Sequence, residues 1–168
     1  FDHGFSSEME FDGEKYASHD VILVTVNYRV GVFGFYADPV LTKENTFHTT
    51  GNYGLLDQIM ALQWVYDNID AFHGDRNRIT VFGQSAGAMS TQALITSPLT
   101  KGLIHSAIFQ SGAGVENGIT RTKKMSDAYH TGDLIRKLCK VKNVNALRKL
   151  DASKLVSILP ELYKECGG

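Results

Sequence analysis

Hydrophobic positions in this chain fall into short blocks whose period changes along the sequence. Asp20 precedes Val21-Ile22-Leu23-Val24-Thr25-Val26, a β-branched run without polar alternation until Thr25. Such a run predicts a strand covered on both faces, as in a parallel sheet. Val30 to Thr50 is rich in Gly, Phe and turn residues, and Asp38-Pro39 blocks a continuous helix there. This stretch reads as a long irregular segment with one short helical turn. Leu55, Ile59, Leu62 and Tyr66, with Trp64 and Val65 beside them, recur at i, i+4, i+7 and i+11 and predict a helix of about four turns. Ile79 to Phe82 predicts a second strand, Met89 to Ile95 a buried helix, Ser97-Pro98 a break, and Ile104 to Phe109 a third strand ending at Gln110-Ser111-Gly112. Residues 123–139, 144–150 and 152–163 read as helices, with Asp151 as N-cap of the last. Strand, helix, strand, helix, strand is the order of a parallel α/β sheet flanked by helices.

Length and composition narrow the class. The 168 residues suffice for one domain with a real core, and 1–168 reads as a single unit. A content of 43% hydrophobic and 21% charged residues is that of a soluble globular protein. The formal net charge of −1 argues against a nucleic-acid or membrane-surface partner, which would call for a basic patch, and no run of about 18 apolar residues is present to span a bilayer. Residue 1 is Phe rather than Met, and Glu165-Cys166-Gly167-Gly168 ends without a closing element. The chain is therefore expected to be an internal piece of a longer protein, truncated at both ends.

The candidate chemistry is concentrated at Gly83-Gln84-Ser85-Ala86-Gly87, directly after one predicted strand and directly before a helix. A chance G-x-S-x-G arises in about one chain in twenty of this size at average glycine usage, so context carries the argument. In a nucleophile elbow the serine sits on a strained strand-to-helix turn. Gly83 and Gly87 are expected there because a Cβ at either position would collide with neighbouring backbone. The turn lifts the serine Oγ clear of the sheet, and the helix start turns free N–H groups toward an oxyanion. The competing reading is a glycine-rich turn in which Ser85 caps the helix.

Blocks in order along the chain extend this pattern: Asn27-Tyr28-Arg29, Gly51-Asn52-Tyr53-Gly54-Leu55-Leu56-Asp57-Gln58, Ala61-Leu62-Gln63-Trp64-Val65, Phe72-His73-Gly74-Asp75, the run Ile79 to Ala88, Ser97-Pro98-Leu99, Lys101-Gly102-Leu103 and Gln110-Ser111-Gly112. With them the chain resembles the type-B carboxylesterases, a group of α/β hydrolases, most clearly from Glu10 to Gly114. The resemblance implies a partial α/β-hydrolase fold and a serine ester hydrolase working through an acyl-enzyme, with a small-molecule ester as substrate and no cofactor. It assigns Ser85 as the nucleophile, Ala86 as the donor of one oxyanion N–H, and Ser111 as a serine supporting the catalytic acid and histidine. Ser111 reads equally as a cap at a strand end. Phe1-Asp2-His3-Gly4 aligns best with the segment following the family's oxyanion glycines, against a rival alignment making His3-Gly4-Phe5 a remnant of that loop. The order of the triad, serine, acid, histidine, puts acid and base in later loops, beyond this chain. An internal set of Ser85, Glu116 or Asp127, and His130 has the right order, but His130 falls in a predicted helix where the family places no base.

His105 reads as structural, and His3, His19, His48 and His73 as loop residues. No histidine pair has metal-ligand spacing, so no metal is expected. Departures from the family pattern are informative. Cys139 falls where secreted relatives often begin a short disulfide loop, but the position near Ala146 holds no cysteine, which favours a cytoplasmic over a secreted setting. Gln84 stands where cholinesterase-like members carry Glu, which weakens a choline-ester reading. Arg76 replaces a turn proline without evident chemistry. Two alternatives share the fold: a non-catalytic, neuroligin-like adhesion protein, and a lipase, thioesterase or amidase with the same machinery.

Overall fold

The computed structural model describes residues 4–114 and 123–166. A 3₁₀ turn at Met9–Phe11 leads to helices α1 (Glu14–Ala17), α2 (Gly31–Phe35), α3 (Pro39–Glu44) and α4 (Tyr53–Asn68). Then come strand β1 (Thr80–Gln84), helix α5 (Ala86–Thr96) and strand β2 (Ser106–Gln110). Helices α6 (Met125–Leu138), α7 (Val144–Leu147), α8 (Ala152–Ser157) and α9 (Leu159–Cys166) complete the order. The chain divides into two compact units, Phe1–Val30 with Gly54–Arg121, and Gly31–Tyr53 with Thr122–Gly168.

The first unit is built on β1–α5–β2. The two strands pair in parallel, Thr80 opposite Ser106 through Gln84 opposite Gln110. Parallel strands need a crossover, and α5 with the 3₁₀ turn Pro98–Thr100 supplies it. Val81 and Ala107 are half-buried, whereas Phe82 and Ile108, one residue on in each strand, stay exposed. The alternation follows from the pleat, because α5 packs on one face only. Helix α4 forms as its periodicity predicts, but its fully buried stripe is Gly54, Gln58 and Leu62, with Leu55, Ile59 and Tyr66 half-covered.

Val21 to Val26, expected as a strand, belongs to no ladder among the described residues. Strand character needs a hydrogen-bonded neighbour as well as β-branched side chains. Val21, Ile22, Val24 and Val26 accordingly remain exposed. The segment is nevertheless anchored. At its end Arg29 Nε and Nη2 donate to the two carboxylate oxygens of Asp57 on α4 at 2.8 and 2.7 Å, and the Arg29 backbone N–H donates to the same carboxylate at 3.0 Å. The guanidinium holds the Asp57 carboxyl below its ordinary range.

The second unit gathers Tyr36, Ile135, Cys139, Val144, Leu147 and Leu162 into an apolar core. Asp38 is nearly inaccessible at 1% exposure, and every direction around it is used. Its side chain accepts from the Val40 N–H at 2.8 Å and the Tyr36 hydroxyl at 3.0 Å, and it pairs with Arg136 of α6. Burial, reinforced by the hydrogen bond to Asp38, pushes the Tyr36 phenol well above its ordinary value. Asp38-Pro39 does interrupt the helix, and it also starts the next one, with Asp38 as N-cap and Pro39 in the first turn of α3. The expected irregular segment thus contains two short helices, α2 and α3. Residues 152–163, expected as one helix, split into α8 and α9 at Ile158. Pro160 has no N–H to offer the carbonyl of Val156, so the first helix cannot run through it. Asp151 caps α8 through the Ser153 N–H at 2.8 Å, as expected.

Candidate active site

β1 ends at Gln84 and α5 begins at Ala86, so Ser85 alone makes the turn between strand and helix. Its backbone lies at φ 51°, ψ −113°, a region that L residues rarely enter. The Ser85 N–H donates to the Gln110 carbonyl at 2.8 Å, continuing the ladder one step past β1, and the Ser85 carbonyl accepts from the Met89 N–H at 3.2 Å. The backbone is therefore held on both sides of the turn. Although Ser85 occupies the N-cap position, its side chain makes no capping hydrogen bond, and the residue is exposed. The residue sits at the carboxyl end of the parallel strands, where open α/β sheets place their ligands. Ala86, as first residue of α5, has an N–H without an intrahelical acceptor.

The glycines of the pentad are not equivalent. A Cβ on Gly83 would lie 2.3 Å from the Gly87 carbonyl carbon and 2.4 Å from its oxygen. Only glycine lets the helix start close over the strand. At Gly87 a Cβ would meet nothing within 4 Å, which corrects the expectation that both glycines are required by collision. Gly87 contributes the backbone that Gly83 must clear, while its own Cβ direction points into open space. The collision reappears at Gly112, which the spacing of the pentad does not reveal. A Cβ there would sit 2.6 Å from the Ser85 carbonyl oxygen and 2.9 Å from the Ala88 Cβ. The loop leaving β2 thus passes too close to the elbow for any side chain at position 112.

Ser111 lies in that loop, exposed, at φ 51°. Gln84, the last residue of β1, is exposed beside Ser85. His105 lies at the far end of the sheet, where its backbone N–H donates to the Ile79 carbonyl at 2.9 Å. Five strand residues, about 17 Å, separate that rung from the Ser85–Gln110 rung, so His105 is not the base for Ser85. His73 terminates the 3₁₀ turn Ile69–Phe72 in a left-handed conformation. His130 and Asp127 lie on α6, as the helix expectation had it. Glu116 and the alignment of Phe1, Asp2 and His3 fall outside the described residues. Arg76 does have a role: its guanidinium pairs with Asp70 and lies 5.4 Å from the centroid of the Tyr66 ring. Cys139 is buried and Cys166 exposed, both as free thiols; burial pushes the Cys139 thiol up.

A cavity of about 480 Å³ is lined by Ile95, Ser97, Lys101, His105 and neighbouring residues at the amino end of β2, opposite the elbow. Among the described residues no group of three or more His, Cys, Asp or Glu side chains is placed to hold a metal, and no helix is long and apolar enough to cross a membrane.

Known proteins resemble this chain in sequence and in fold. The chain is 39% identical over 158 residues to the fumonisin B1 esterase of Sphingopyxis macrogoltabida, covering 94% of this chain and 28% of that protein. It is 37% identical over 156 residues to the human cocaine esterase, covering 92% of this chain and 25% of that one. A thermophilic para-nitrobenzyl esterase of known structure superposes with a TM-score of 0.86 at 37% identity, over 99% of this chain and 33% of its own length. The chain thus spans a third or less of these relatives, and its parallel strands with their flanking helices are part of an α/β-hydrolase fold. The model of the carboxylesterase family matches residues 1–166, and the chain belongs to that family.

Proposed function

We propose that the protein carrying this chain hydrolyses carboxylic esters, with Ser85 as its nucleophile. The supporting observation is the state of Ser85: a non-glycine residue at φ 51°, exposed at the carboxyl end of β1, with a hydroxyl that does not cap the helix it precedes. A serine used only as a cap would accept from an N–H of the first turn. In this reading Ser85 Oγ attacks the ester carbonyl, the alcohol leaves, and water releases the acid from the acyl-serine. The Ala86 N–H holds the developing oxyanion; one such donor contributes about 3 kcal/mol to the transition state. Ser111 supports the acid and histidine, which this reading assigns to residues outside 1–168. Gln84 in place of a carboxylate favours an uncharged over a cationic alcohol group.

A fluorophosphonate probe applied to the full-length protein tests the assignment. Stoichiometric labelling at Ser85, lost in Ser85→Ala, is the expected result. A folded protein that takes up no label would instead favour a non-catalytic binding role on the same fold. Residues 1–168 alone are expected to show little turnover of a short-chain nitrophenyl ester; robust Ser85-dependent turnover would place a base inside them.

A further inference from the structure

We infer that Gln92 is a positioning residue, whose carboxamide clamps the loop after β2 against the elbow and so sets the orientation of the Ser85–Ala86 peptide. The inference rests on the reading of Ser85 as nucleophile. Gln92 Oε1 accepts from the Gly114 N–H at 2.9 Å, and Gln92 Nε2 donates to the Gly114 carbonyl at 3.3 Å. One side chain thus satisfies both main-chain groups of a single residue, as a neighbouring strand would.

The spacing explains why this grip reaches the chemistry. Ala88 and Gln92 are one turn apart on α5, about 6 Å along its axis. Gly112 and Gly114 are two residues apart in the loop and can lie at most about 7 Å from each other. Gly112 sits against Ala88 and the Ser85 carbonyl while Gly114 sits against Gln92, so the loop runs along the helix in step with it. The loop does not hold that path unaided: Ser111 and Ala113 lie at φ 51° and 73°, conformations that non-glycine residues keep only when their surroundings enforce them.

The loop meets the elbow at the Ser85 carbonyl, where a Cβ on Gly112 would lie 2.6 Å away. That carbonyl and the Ala86 N–H are opposite sides of one planar peptide, so a tilt imposed on the oxygen also turns the N–H. Released by loss of the Gln92 clamp, Gly112 would back away and the oxyanion donor would lose its aim. The effect falls on the transition state, where negative charge develops, and leaves ground-state binding unchanged.

The test uses the full-length protein and a short-chain nitrophenyl ester, with kcat and KM measured from pH 4 to 8 for wild type, Gln92→Ala and Gln92→Glu. Gln92→Ala, an exchange that favours the helix, is expected to lower kcat about tenfold, part of the hundredfold or more that complete loss of a donor costs, with KM within about twofold. Gln92→Glu at pH 8 presents a carboxylate to the Gly114 carbonyl and should match Gln92→Ala. Relative to wild type at the same pH it should recover as pH falls toward 4, because a glutamate of ordinary value, about 4.3, is still mostly ionised at pH 5 and only the protonated acid donates to that carbonyl. A Gln92→Ala enzyme with wild-type kcat, or a Gln92→Glu deficit independent of pH, overturns the positioning role. So does rapid amide exchange at Gly114 in the wild type. A wild type with neither turnover nor fluorophosphonate label at Ser85 overturns the nucleophile reading and the positioning role with it, an outcome distinct from an active wild type whose variants match it.

Discussion

Replacing Ser85 by glycine should make the protein more stable while abolishing its chemistry. At φ 51°, ψ −113° the serine side chain crowds its own backbone, a conformation costing about 1–3 kcal/mol at a non-glycine residue. Glycine removes that cost and, by widening the unfolded ensemble, returns about 0.4–1 kcal/mol of it. The net expectation is a gain of about 1 kcal/mol. Ser85→Ala is the control, because it keeps the Cβ and therefore the strain. It loses only an exposed hydroxyl that caps nothing, so its stability should stay within about 0.5 kcal/mol of the parent. The difference between the two variants isolates the backbone term. Trp64, the single tryptophan of these 168 residues, lies in the unit that contains the elbow, so its fluorescence during urea unfolding of this chain follows the relevant transition. Ser85→Gly should unfold at higher urea than Ser85→Ala with the same slope, and melt about 2–4 °C later for a chain of this length. Equal or lower stability of the glycine variant would refute the claim that the elbow stores strain, and with it the physical case for a nucleophile at this turn.

Other outcomes follow from single contacts. Gly83→Ala puts a Cβ 2.3 Å from the Gly87 backbone, where no flexible side chain can yield, and should cost at least about 2 kcal/mol by denaturant titration and abolish labelling at Ser85. Because Arg29 holds the Asp57 carboxyl below its ordinary range, the pair stabilises fully above the unfolded carboxyl value of about 4 and is lost as pH falls through the lower folded one. Asp57→Asn should therefore cost about 1 kcal/mol at pH 7, a low figure because Arg29 is half exposed, and flatten the decline in melting temperature between pH 5 and 3. Asp38→Asn leaves Arg136 without its buried partner and should cost about 2–4 kcal/mol. It should also lower the titration of Tyr36, read by ultraviolet absorbance, while burial keeps that phenol above its ordinary value.

Local physics along the chain was enough to foresee the parts that depend on neighbours in sequence. The period of α4, the cap at Asp151, the break at Asp38-Pro39 and the strand–serine–helix order around Ser85 are all written within a few residues of themselves, and ordered blocks such as Gly51 to Gln58 were enough to recognise the family. What the sequence left open depends on partners far along the chain. Val21 to Val26 has every local mark of a strand, yet pairing is a property of two segments, and no described segment pairs with it. Gly83 and Gly87 look alike in the pentad, but only the approach of α5 over β1 separates the one that must be glycine from the one that need not be. Gly112, Gln92 and the pairing of Asp38 with Arg136 carry no mark in one dimension, because a close contact across 20 to 100 residues exists only once the backbone has brought its two sides together.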